Sequence, residues 1–159
     1  MAALSLGKTY LQVGDKAPLF TTRDQDGKPF KLSSLKGKKV ILYFYPKDLT
    51  STCTTQACNL RDNHAQLTKK GFVVIGVSPD DEKSHQKFIT KNKLPFTLIT
   101  DTDHAIALAY GVWGEKKMYG NTYMGIHRTT FIIGATGKIE RIIAKPKSST
   151  HAQEILFED

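Results

Sequence analysis

The chain has 159 residues, a length that fits one compact domain, and 40% of them are hydrophobic, enough to build a buried core. Two cysteines are too few for a secreted disulfide scaffold, and no apolar run reaches the length of a membrane span. The formal net charge of +8 comes from lysines scattered over separate segments with no visible stripe, so neither nucleic acid nor a membrane is an expected partner.

The opening, MAALSLGKTY, lacks a basic region followed by an apolar one, and predicts a cytoplasmic protein. Residues 17–32 carry a turn signal, Asp26-Gly27, between two short extended stretches, which predicts an N-terminal hairpin. The run KKVILYFYP, 38–46, is rich in β-formers, lacks alternation and is stopped by Pro46; it reads as a strand buried on both faces. From Cys53 the period changes: Cys53, Ala57, Leu60, His64 and Leu67 recur at helical spacing, and Lys69-Lys70-Gly71 ends the pattern. A second apolar strand, 72–78, completes a strand–helix–strand unit whose strands must run parallel.

Beyond it the sequence predicts a helix over 80–92, a strand over 95–100 and a helix over 103–111. Residues 112–125, rich in glycine and aromatics, read as a loop. Two strands joined by a tight glycine turn follow in 128–144, necessarily antiparallel, and a short helix from 149 to 157 has little to dock against. Parallel and antiparallel strands together predict an α/β fold with a mixed central sheet in a single domain, 1–159.

Both thiols lie in STCTTQAC, just past the first buried strand. Cys53 falls at a helix start, where unpaired N–H groups and the positive end of the helix dipole favour an anion, so an accessible, reactive thiolate is expected. Ser51 or Thr52 is placed to cap this helix, and Gln56 to reach back to its first turn. Five helical residues separate Cα atoms by about 8 to 9 Å. A disulfide rarely spans more than about 7 Å, so Cys53 and Cys58 bond only if the helix between them unwinds. No third or fourth cysteine and no histidine pair at ligand spacing support a metal site, and His64 reads as packed or half-exposed rather than catalytic.

The order Pro46, Thr50, Cys53 in YPKDLTSTC resembles the active-site signature of the peroxiredoxins. VGDKAPLF, DQDGK, TTQAC, LRD, YGVWGEK and GIHRTTFII are similar to the bacterioferritin comigratory protein, or peroxiredoxin Q, branch, and the likeness runs from about Val13 to Ile143. It implies a thioredoxin-like fold with an N-terminal β-hairpin extension, no cofactor and no metal, and reduction of hydrogen peroxide and alkyl hydroperoxides with thioredoxin as electron donor. By position, the resemblance makes Cys53 the peroxidatic cysteine and Cys58 the resolving one. It makes Thr50 the hydroxyl that orients thiolate and peroxide, Arg128 the active-site arginine and Pro46 the residue that shields the pocket. Members of this branch are often monomers, and no exposed apolar stripe in this chain argues otherwise. Ser51-Thr52 stands where the branch usually has Pro-Gly, which bears on rate and substrate preference.

Two other readings remain on the residues alone. A thiol–disulfide oxidoreductase would carry two cysteines separated by two residues, which this chain lacks. A binding protein whose thiols only sense oxidation would not need Cys53 for binding.

Overall fold

A computed structural model of the chain describes residues 9–157. Its centre is a five-stranded sheet in the order β5-β4-β3-β8-β9. The strands are β3 (Lys39–Phe44), β4 (Phe72–Ser78), β5 (Thr97–Thr100), β8 (Thr129–Ile133) and β9 (Ile139–Ala144). β3, β4 and β5 are parallel; β8 and β9 join antiparallel, so the sheet is mixed as expected. The N-terminal hairpin is also present, pairing β1 (Thr21–Arg23) with β2 (Pro29–Lys31) around a turn in which Gly27 takes a positive φ.

Alternate residues of β3 explain its unbroken apolar run. Val40, Leu42 and Phe44 enter one core with Tyr110 and Phe131, while Ile41 and Tyr43, with Tyr45 beyond the strand, enter the other with Cys53, Ala57 and Leu60. Helices α1 (Ser51–Asp62), α2 (His64–Lys69), α3 (Glu82–Asn92) and α5 (His151–Phe157) cover this second face; the short α4 (Ala105–Ala109) lies on the first. At the register position opposite Tyr43, Gly76 leaves room for the ring: a Cβ there would come within 2.9 Å of Tyr43 Cζ and 2.7 Å of Leu98 Cδ2.

Three segments differ from expectation. The helical pattern from Cys53 to Lys69 is two helices, broken at Asn63, whose side-chain amide donates to the Asn59 carbonyl at 2.8 Å and competes for a backbone acceptor. Residues 112–125 are not a loop but a second hairpin, β6 (Trp113–Met118) against β7 (Asn121–Ile126). Its two-residue tip is Tyr119-Gly120, both at positive φ, a turn that the bulky tyrosine hides from a search for Asn-Gly. The C-terminal helix does dock, burying His151, Ala152, Ile155 and Leu156. It holds α1 through Asn59, which accepts from Ala152 N at 2.6 Å and donates to Ser149 O at 3.0 Å. No helix among the described residues is long and apolar enough to cross a membrane.

Candidate active site

β3, the middle strand, delivers the chain to the C-terminal end of the parallel strands, Pro46 follows it half-buried, and residues 46–50 turn into α1. Thr50 rather than Ser51 or Thr52 occupies the cap position, with extended backbone and no side-chain cap bond. Its exposed hydroxyl donates to Lys47 O at 3.0 Å. Ser51 and Thr52 face solvent on the first turn.

Cys53 is 2% exposed, which corrects the expectation of an accessible thiol: its side chain turns inward against Tyr43, Tyr45 and Ala57 instead of outward with Ser51 and Thr52. Arg128, half-buried on the residue before β8, reaches it: Nη2 donates to Cys53 Sγ at 3.0 Å, and Nη1 donates to Gln56 Oε1 at 3.0 Å. Gln56 therefore does not fold back onto the first turn; it lies one turn beyond Cys53 on the buried face and orients the guanidinium. A planar guanidinium with several donors in fixed geometry suits this double duty better than an ammonium. Gln56 Nε2 and Tyr43 Oη are buried with no hydrogen-bond partner among the described residues. Burial foremost, then the negative charges of a Cys53 thiolate and of Asp48, hold Tyr43 well above the ordinary tyrosine range, so it remains a neutral donor.

The β6–β7 hairpin adds a cation that the sequence reading missed. Lys116 Nζ donates to Ile126 O at 2.8 Å. Burial chiefly, and then the positive charge of Arg128, lower its affinity for a proton, while a Cys53 thiolate opposes both.

Behind the loop lies a buried network, also unforeseen. Asp48 Oδ1 accepts from Tyr45 Oη at 2.6 Å; Oδ2 accepts from Ser84 Oγ at 2.8 Å and lies 2.7 Å from His85 Nδ1. Asp48 N donates to Asp80 Oδ2 at 2.7 Å, and His85 Nε2 donates to Ile99 O at 3.0 Å. Asp48, Asp80 and His85 each offer one atom that could hold a cation, all within 4.8 Å of one another. These atoms are spent on hydrogen bonds, and the arrangement acts as an anchor for the loop. The anchor has strain to hold, because Leu49, next in the chain, sits at φ 64. Asp48→Ala is expected to lose about 1–3 kcal/mol by leaving Tyr45, Ser84 and His85 without an acceptor. Urea unfolding checks this; a midpoint equal to that of the parent protein would mean that the network contributes nothing.

The second thiol is half-buried on the other side of α1, with Cys58 Sγ 3.7 Å from Asn92 Oδ1 at the end of α3. Both cysteines are free and both lie within continuous α1. His64, half-buried, packs obliquely on Phe96, with ring centroids 6.2 Å apart, and takes no part in the site.

Residues 13–142 match the family model described as the AhpC/TSA family. Peroxiredoxin Bcp of Escherichia coli is 47% identical over 146 residues, 92% of this chain and 94% of that protein. Among solved structures, a cysteine-to-serine mutant of PrxQ from Xylella fastidiosa superposes with a TM-score of 0.87 at 31% identity, covering 94% of this chain and 95% of the other. Peroxiredoxin Q of Xanthomonas campestris gives 0.83 at 32% identity, covering 93% and 94%.

Proposed function

The chain belongs to the AhpC/TSA family as a peroxiredoxin of the Bcp and peroxiredoxin Q branch, with a thioredoxin-like fold, and from that membership we propose how its own residues divide the work. It is a thiol-dependent peroxidase of the atypical 2-Cys type. In this reading residues 1–159 act as one domain, monomeric and cytoplasmic, on hydrogen peroxide and alkyl hydroperoxides, with thioredoxin or a similar dithiol protein as reductant.

The Cys53 thiolate attacks one peroxide oxygen. The O–O bond breaks, the departing oxygen leaves with the electron pair and takes a proton, and sulfur is oxidised by two electrons to the sulfenic acid. Charge grows on the departing oxygen, so donors fixed beforehand lower the barrier. Arg128 supplies one, and the first-turn N–H groups of α1 supply others. Thr50, whose hydrogen is committed to Lys47 O, accepts from the peroxide O–H and sets its angle. Pro46 closes the pocket beside it. The Cys58 thiolate then attacks the sulfenic sulfur, an S–S bond forms and hydroxide leaves as water. The observation that carries the reading is the guanidinium donating to a buried sulfur at the start of a helix.

Intact mass after one equivalent of hydrogen peroxide tests it. The expected product has lost two hydrogens; in Cys58→Ser it has gained one oxygen instead. A reduced mass that persists, or an unchanged product in Cys58→Ser, would refute the division of roles. A dithiol oxidoreductase would instead leave peroxide untouched and exchange with a model disulfide.

A further inference from the structure

Four of the lysines that look scattered in the sequence gather on one face in the fold. Lys83, Lys87 and Lys91 stand one turn apart along α3 and all are exposed. Exposed Lys47 lies beside them on the loop that precedes Cys53. Two adjoining grooves separate the helix from that loop. One is lined by Leu49, Lys83, Gln86, Lys87, Thr90 and Lys91, without a carboxylate; the other brings Lys47 and Thr50 alongside Lys83 and Lys87.

Acidic groups nearby do not neutralise this face. Asp48 and Asp80 are engaged in the buried network, Glu82 stands in the first turn of α3, and Asp81, which also lines the second groove, caps the helix by accepting from Ser84 N at 2.9 Å. Like charges one turn apart destabilise a helix, so the stripe is kept at a cost to the fold. At its centre Leu49 exposes 43% of its surface in a left-handed backbone conformation that a leucine adopts only under constraint. An apolar anchor flanked by four lysines, with Asp81 the one exposed acid lining the same grooves, is the composition of a surface for a protein of opposite charge.

The position matters as much as the charge. The stripe runs along α3 from the loop before Cys53 to Asn92, whose Oδ1 contacts Cys58 Sγ. A partner seated on it lies beside the loop that leads to Cys53 and the end of α3 that touches Cys58.

We propose that Lys47, Lys83, Lys87 and Lys91, with Leu49 between them, form the docking surface for an acidic dithiol protein that reduces the Cys53–Cys58 disulfide. This rests on the peroxidase cycle proposed above and adds to it where and by what charge the reductant binds. In the step served, a partner thiolate attacks one sulfur of the disulfide and the other cysteine leaves as thiolate. The partner's second thiol then attacks the mixed disulfide, releasing both cysteines reduced and the partner oxidised.

The test compares the full chain with Lys83→Glu/Lys87→Glu/Lys91→Glu and with the milder triple change to Gln, using a thioredoxin of net negative charge and, separately, dithiothreitol. The expected result is a loss of about tenfold or more in the second-order rate with thioredoxin at low salt for the Glu variant, and a smaller loss for Gln. The parent rate should fall as salt rises while the Glu variant's does not, and rates with dithiothreitol should be equal in all three. An unchanged thioredoxin rate, or an equal loss with dithiothreitol, would overturn the surface. So would retention of the parent on anionic phosphatidylglycerol vesicles together with a thioredoxin rate that ignores the lysines. Absence of peroxide consumption with either reductant would instead sink the cycle beneath it, and the surface with it.

Discussion

Cys53→Ser is expected to consume hydrogen peroxide no faster than the uncatalysed background, a loss on the order of 10³-fold or more, as when a nucleophile is removed. A serine hydroxyl in the same place receives the Arg128 donor but does not ionise near neutral pH, so the site keeps its geometry and loses its reactant. Peroxide consumption with dithiothreitol as reductant, alongside a circular-dichroism spectrum matching the parent, checks both halves of the statement. Turnover that survives the change would move the reaction to Cys58 and discard the cycle.

Arg128→Met is expected to slow peroxide reduction by about 10²- to 10³-fold, the size of effect seen when one fixed donor to a developing oxyanion is removed. It should leave Gln56 Oε1 without its donor, at a cost of about 1–3 kcal/mol in stability. Arg128→Lys keeps the charge but not the paired donors to Cys53 and Gln56, and should recover only part of the rate. Initial rates over a range of peroxide concentrations measure all three proteins; equal rates would mean that the guanidinium merely packs against the sulfur.

How much of this was legible in the sequence depends on the range of the interaction. β3, β4 and the helix between them declared themselves through local periodicity and the position of Pro46, and so did the placing of Cys53 at a helix start. Arg128 is 75 residues from Cys53, and nothing in its own neighbourhood set it apart; only the family resemblance pointed to it. Gln56 was noticed but given the wrong partner, because a side chain near a helix start has both a local and a distant donor within reach, and the distant guanidinium won. The Asp48–His85 network joins residues 37 apart and leaves no periodic trace. The basic face, by contrast, was present as a four-residue spacing on α3 and escaped notice because Lys47 completes it from another element.

The burial of Cys53 and the docking of α5 sharpen the expected unwinding. Asn59 is held by Ser149 and Ala152, and Asn63 accepts from Gln153 at 3.3 Å, so α1 is fastened from just after Cys58 onward. Among the described residues its first two turns, before Cys58, are tied to the rest of the fold by side-chain hydrogen bonds from Arg128 only, to Cys53 and Gln56, and Thr55 bonds within α1, to Ser51 O. Formation of the disulfide should therefore open residues 53–58 and leave 60–62 helical.

Hydrogen exchange on reduced and peroxide-oxidised protein tests this most directly. The amides of residues 54–58 are expected to be protected when reduced and to lose that protection when oxidised, while 60–62 keep theirs. Equal protection of 54–58 in the two states, with the disulfide confirmed by mass, would contradict the claim that the helix must open for Cys53 and Cys58 to meet.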